Sequence, residues 1–329
     1  MKKSICALVS AFAFLSLFNT QHVLAEEVTT TSTQAGPSWV FTYSYYKYSL
    51  QGENTANTRI YKFDASTVDL HLATATWLYS PQWTFLAFAP YIKNMVETIY
   101  EPTPAGLNFK TRDYTEGLGD IRLMGLSPLW AEERHLLMYD ISVTLPTGST
   151  DEYFTSAPTQ RAAYNMQLGS GTPDLILGST YNYSVDQWVS SARGQITVRG
   201  GKNARGYAFG NELQAHLNSK YQLTSYFNLG AQLSYKARGA IDGHDDKYER
   251  FNNYVSPVDT SIRGDGHQYY HAPQISWDAS ILAKLQSPNY SRYSASLEAG
   301  IPFWQGAINK DDIRLDIQYW FAASLNAVF

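Results

Sequence analysis

The sequence predicts an all-β fold, a transmembrane antiparallel up-and-down β-barrel of about 12 strands. Three observations point to it. Apolar and polar side chains alternate through one segment after another. Aromatic residues make up 15% of the chain although its mean hydropathy is only −0.31. Beyond the amino terminus, no stretch reaches the roughly 18 apolar residues of a membrane-spanning helix.

The first residues carry an export signal. Lys2 and Lys3 precede an apolar run over 5–18, and Val23-Leu24-Ala25 supplies a small-residue cleavage pattern. The expected organisation is a signal peptide over 1–25, a flexible Thr/Ser-rich periplasmic amino terminus over 26–37, and a barrel over 38–329. The only cysteine, Cys6, lies within the signal, so neither a disulfide framework nor a thiol ligand is expected in the mature chain.

From residue 38 onward the period is two. Leu137, Tyr139, Ile141, Val143 and Leu145 form one face against Asp140, Ser142 and Thr144. Ile196 and Val198 oppose Arg193, Gln195, Thr197 and Arg199, and the same split recurs from Phe227 to Lys236. Near the end, Ile313, Leu315, Ile317, Tyr319 and Phe321 are expected on one face, with Arg314, Asp316 and Gln318 on the other. The expected strands are 38–50, 58–79, 83–100, 117–130, 136–146, 172–184, 188–200, 206–221, 226–239, 273–286, 292–303 and 311–329.

Connections alternate in length. Short turns at 80–82, 131–135, 185–187, 222–225 and 287–291 contrast with long loops at 101–116, 147–171 and 240–272. Such asymmetry belongs to an outer-membrane barrel with periplasmic turns and extracellular loops. Phe329 ends an alternating final strand, the kind of terminus read by the barrel-insertion machinery, which is the expected assembly partner. The outer membrane of a Gram-negative-type cell, and its lipids, follow as the setting.

A soluble β-sandwich would alternate too, but it would need a dry interior. Here the polar faces carry Asp69, Arg122, Asp140, Asp174, Arg193, Lys236, Asp278, Lys284, Glu298 and Asp316 at mid-strand. A Lys or Arg facing lipid at the bilayer centre costs about 2–4 kcal/mol, so these residues are expected inside, facing water or one another. The ring must also close, because lipid offers no partner to an unpaired sheet edge. Twelve strands lie between the packed interior of eight and the open channel of sixteen, leaving room for a narrow pore. Trp77, Tyr79, Trp83, Trp130, Trp188, Tyr226 and Tyr293 sit beside turns, where interfacial girdles belong.

Three short motifs add a family resemblance. Gly117-Leu118-Gly119-Asp120, then Leu145-Pro146-Thr147-Gly148, then Leu168-Gly169-Ser170-Gly171-Thr172-Pro173-Asp174 occur in that order. They resemble the outer-membrane transporters linked to the meta-cleavage pathway of phenol degradation, over about 117–184. The resemblance implies a barrel and uptake of small aromatic or apolar compounds. Read from the residues themselves, the glycines flank loop–strand junctions, and Pro146 ends its strand by removing a ladder donor. The candidate lumen or constriction residues are Asp120, Arg122, Asp174, Arg193, Lys236, Asp278, Glu298 and Arg314, with Asp120 and Asp174 expected to pair with lumen cations such as Arg122 or Arg193, either bracing the wall or lining a constriction.

The function expected is an outer-membrane channel or transporter for passive uptake of small molecules, with a small-molecule solute as partner and no cofactor. A non-transporting barrel, acting as adhesin, receptor or wall protein, stays open. A phospholipase-like barrel enzyme is a remoter alternative, since His216-Leu217-Asn218-Ser219 holds the right letters but Leu217 faces away from His216 and Ser219 is expected at a turn. Asp242, His244, Asp245, Asp246, Asp259, Asp265, His267 and His271 match no metal-ligand spacing, and Tyr248, Phe251, Tyr254, Tyr269 and Tyr270 in the same stretch suggest that 240–272 partly covers or plugs the pore. No phosphate-binding or nucleic-acid motif is present, and a net charge of −4 argues against a nucleic-acid partner.

Overall fold

The computed structural model describes residues 38–54, 61–100, 109–156, 158, 161–162, 164–245, 274–286, 292–307 and 313–329. The signal and amino-terminal segment lie outside the described residues, as does most of 240–272. The barrel strands are β1 (Ser38–Asn54), β2 (Tyr61–Ser80), β3 (Trp83–Tyr100), β4 (Phe109–Leu118), β5 (Ile121–Glu132), β6 (His135–Leu145), β7 (Asp174–Val185) and β8 (Trp188–Arg199). After the two-residue β9 (Tyr207–Ala208) come β10 (Glu212–Thr224) and β11 (Phe227–Arg238). The short β12 (Asp242–Gly243) is followed by β13 (Gln274–Gln286), β14 (Tyr293–Ala307) and β15 (Ile313–Val328). Outside the ring, β9 and β12 pair with each other.

Neighbouring strands are antiparallel, and β1 pairs with β15 while β2 pairs with β3, so the sheet closes on itself. Thirteen strands occupy twelve positions, because β4 and β5 are two halves of one stave laid against β3. The stave breaks at Gly119-Asp120, opposite Pro90, a residue with no N–H for the ladder; Gly119 N–H donates to the Pro90 carbonyl at 2.9 Å. Trp39 and Phe329 exchange backbone hydrogen bonds of 3.1 and 2.8 Å at the seam. There Phe41 meets the Phe329 ring edge-on at 5.9 Å, and Trp39 stacks on Trp77 at 5.7 Å. These rings cluster at the end of the barrel that carries Ser38 and Phe329.

Alternation holds around most of the wall. Tyr139, Ile141, Val143 and Leu145 are exposed outward, whereas Asp140, Ser142 and Thr144 are buried inward. Lipid satisfies the outer set, and the closed ladder satisfies the backbone.

Four expectations are corrected. First, residues 109–116, expected in a loop, belong to β4. Its outward Lys110, Arg112 and Glu116 and its inward Asp113 and Thr115 are polar on both sides, so no apolar face announced the strand. Second, Ile317 is buried while Tyr319 is exposed. The register slips between Ser49 and Leu50, whose partners are Tyr319 and Ile317, so Gln318 is bulged and the faces exchange there. Third, Ser219 lies within β10 rather than in a turn.

Fourth, the interior is not polar throughout. On β1–β3 the inward residues include Val40, Tyr46, Tyr48 and Leu50, then Val68, Leu70 and Leu72, then Leu86, Phe88, Ile92 and Val96, with Thr42, Ser44, Ser66, Thr74, Thr76, Thr84 and Asn94 as the polar members of the same face. Asp69 accordingly points outward, accepting a 2.6 Å hydrogen bond from Tyr45 and lying 3.8 Å from Lys47. The reason is a partner within the barrel: Ala162, Met166 and Leu168, from the loop after β6, join the same apolar cluster. Apolar side chains can face inward wherever something apolar covers them.

Candidate functional site

The three motifs, distant in sequence, converge on Asp120. Its Oδ1 accepts the Gly148 N–H at 2.8 Å, and its Oδ2 accepts the Ser170 N–H at 2.7 Å and the Ser170 hydroxyl at 2.8 Å. Thr147 stitches the same corner, donating to the Gly119 carbonyl and accepting from the Ile121 N–H, both at 2.9 Å. Gly148 and Gly169 touch backbone to backbone; a Cβ on Gly148 would stand 2.6 Å from the Leu168 carbonyl oxygen. One carboxylate thus clamps both ends of a loop, 149–170.

Between these ends the loop crosses the barrel mouth. Near β3 and β4, Thr115 and Asn94 donate to the Met166 carbonyl at 2.6 and 3.4 Å. Toward the far side, Arg161 reaches Asp245 at 2.6 Å, and the Tyr164 hydroxyl accepts the Asp245 N–H at 2.8 Å. Tyr164 packs edge-on against Tyr207 at 4.6 Å, within a cluster that includes Phe209 and Ile241. Asp151 binds both Arg161 and Arg205. Burial would raise the Asp151 carboxyl, but these two guanidinium groups outweigh it and hold it below the usual range. Burial also pushes the Tyr207 hydroxyl up to about 12. The loop seen crossing the lumen is therefore 149–170. Of the segment 240–272, which was expected to do so, the described part includes Ile241 and Asp245, both packed against it.

Opposite the apolar wall runs a ladder of buried charge. Asp140 on β6 receives a two-pronged hydrogen bond from Arg193 on β8, at 2.7 and 3.0 Å. Arg122 lies 3.9 Å from Asp140, donates to Ser142 at 2.8 Å, and sits over the Phe88 ring at 5.6 Å. Asp174 pairs with Arg199, and Lys236 meets Glu212 at 2.9 Å. In register, Arg193, His216, Ser234 and Asp278 are directly opposed across β8, β10, β11 and β13.

Of the eight candidate residues, Asp120, Arg122, Asp174, Arg193, Lys236, Asp278 and Glu298 are buried. The Arg314 backbone pairs with Glu53, and its side chain lies outside what is described. The pairing differs from expectation. Asp120 holds loop backbone, Asp174 takes Arg199, and Asp140 is the common partner of Arg122 and Arg193. Arg161, Tyr164 and Asp245 gave no sequence signal as a group, because they are joined only by the loop's path. His216 and Asn218 are buried in the wall and Ser219 is on the other face, hydrogen-bonded to Ser190, so this segment assembles no exterior Ser-His-Asn set.

No family profile matches the chain, and no curated protein matches it in sequence. Among solved structures it is similar to the COG4313 outer membrane channel from Pseudomonas putida F1, at 12% identity and a TM-score of 0.58, over 91% of this chain and 97% of that one. The NanC porin overlays with a TM-score of 0.43 and 7% identity, covering 88% of this chain and 98% of the porin. A FadL homologue of Pseudomonas aeruginosa gives 0.40 and 8%, covering 91% of each chain. The first of these likenesses bears on fold: the chain adopts the closed barrel of outer-membrane channels.

Proposed function

We propose that the chain is an outer-membrane channel for passive passage of small solutes, narrowed by the loop 149–170. One observation carries this reading: the lumen is two-sided, with a largely apolar wall from β1–β3 facing a ladder of paired charges on β5–β11. A wall protein needs only a packed interior. Burying several ion pairs is costly, and hydrophobic residues of similar volume serve stability as well or better. A passage for a solute with an apolar body and a polar end has use for both surfaces.

The barrel shared with a solved outer membrane channel supports passage as such, and the resemblance of the motifs to the phenol meta-cleavage transporters favours small aromatic compounds as solutes. Liposome swelling with refolded protein tests this. Small phenolics are expected to permeate faster than sugars or amino acids of similar mass. Vesicles that swell with no solute, despite a folded barrel, would assign the chain to the non-transporting class.

A further inference from the structure

We propose that the β13–β15 side of the lumen holds a station for an organic ammonium group, formed by Asp278, Glu298 and the indole of Trp320. This deepens the channel reading and rests on it. The arrangement begins with a missing side chain. Gly300 pairs with Ser280 on one side and Trp320 on the other, and Trp320 pairs in turn with Tyr48. A Cβ on Gly300 would stand 2.5 Å from Trp320 Cε2 and 2.7 Å from Nε1, so the indole lies across bare β14 backbone toward β13. Asp278 is two residues from Ser280 on the same face, and Glu298 is two residues from Gly300. Ser280 donates its hydroxyl to Glu298. The two carboxylates therefore bracket the indole, with the Tyr48 ring 6.2 Å from it.

Two atoms of this cluster are left over. Asp278 is 3% exposed, yet its Oδ1 accepts no hydrogen bond among the described residues. Trp320 is 4% exposed and its Nε1 donates to nothing among them; an ammonium cannot satisfy that N–H, so the indole's contribution to the station is its ring face. A buried carboxylate oxygen without a partner is expensive, and the deficit is removed by a cation that brings its own N–H groups. Among the described residues, the buried bases on β10, β11 and β13 are His216, Lys220, Lys236, Arg238 and Lys284. Lys236, the nearest along the register to Asp278, is bonded to Glu212 at 2.9 Å. Lys220 lies over Gly230, in the row of Glu298, and Lys284 is one step nearer the periplasmic turn, opposite Ser296. Asp278 thus has Lys236 for a Coulombic neighbour but keeps Oδ1 without a hydrogen-bond donor among the described residues, an oxygen a solute can take. An alkylated ammonium suits the place better than a metal ion. Ring faces attract soft cations, whereas calcium would require six or more oxygen ligands.

Calorimetric titration of detergent-refolded protein with phenethylammonium, set against neutral 2-phenylethanol, tests the proposal. The ammonium is expected to bind about tenfold more tightly, D278N to abolish that preference, and W320F to weaken ammonium binding several-fold. Equal affinity of wild-type protein for both compounds overturns the proposal without needing any variant, as does an unchanged preference in a folded D278N barrel. Binding is read here without flux. Ammonium binding in a protein that passes no solute would therefore count against the channel reading alone.

Discussion

Asp140 and Arg193 bond to each other across an intervening strand. They lie on β6 and β8, and their 2.7 and 3.0 Å hydrogen bonds pass over β7 at Gly178. A Cβ there would stand 2.5 Å from Asp140 Oδ2 and 2.6 Å from Arg193 Nη2, so the pair exists because Gly178 has no side chain. Asp140 also neutralises Arg122, which is fully buried.

Gly178→Val should therefore push the two charges apart while leaving both buried. Removing one partner of a buried pair typically costs about 3–5 kcal/mol, and a loss of that order is expected both for Gly178→Val and for Asp140→Leu. Urea unfolding followed by the heat-dependent gel shift of the barrel measures it. A loss below about 1 kcal/mol in both variants would show that water already solvates the pair.

The clamp at Asp120 should control the loop. Asp120→Ala leaves the Gly148 and Ser170 N–H groups without their acceptor, and loop 149–170 is expected to detach from the mouth. Single-channel conductance should rise, with more frequent switching between levels, and protease should cut within the loop. Asp120→Asn keeps one acceptor oxygen and is expected to fall between.

The same loop should respond to acid in a defined direction. The folded-state pKa of Asp151 is lowered, so its contribution is fully present above the unfolded carboxylate value of about 3.9. It disappears as pH falls through the still lower folded value. Conductance fluctuations attributable to the loop should increase below about pH 4, and Asp151→Asn should show the fluctuating behaviour already at neutral pH.

Phe329→Ala tests the carboxy-terminal residue as an insertion signal. The variant is expected to reach the outer membrane at a several-fold lower level in cells yet refold in detergent almost as well as wild type. Equal losses in both assays would assign Phe329 a purely structural role through its edge contact with Phe41 and its backbone bonds to Trp39.

Much of the wall could be read from the sequence, because alternation is a local property. Runs such as 137–145 and 227–236 state their two faces outright. β4 was hidden because both its faces are polar, and the bulge at Gln318 because one residue inserted into a ladder leaves no mark in composition. The apolar lumen wall is illegible in the sequence for a deeper reason. Period-two patterning shows that Leu70 and Asp69 face opposite ways, but not which of them faces in. That choice was fixed by Met166 and Leu168, roughly a hundred positions away in the chain. Among the site residues, the charges announced themselves but their pairings did not. Gly178 and Gly300, which let side chains reach across a neighbouring strand, look like ordinary strand glycines until the register is known.

The seam between β1 and β15 bears on how the molecule can be made. Thr42 donates a 2.7 Å hydrogen bond to Asn326, 284 positions further along the chain. The first strand has no permanent neighbour on that side until the last has been exported, so the ring cannot be finished by threading from the front. Until then, a curved sheet with two raw margins has to be shielded. Maturation should therefore stall as a single late species whenever the final strand is truncated, rather than yielding a ladder of partly inserted forms.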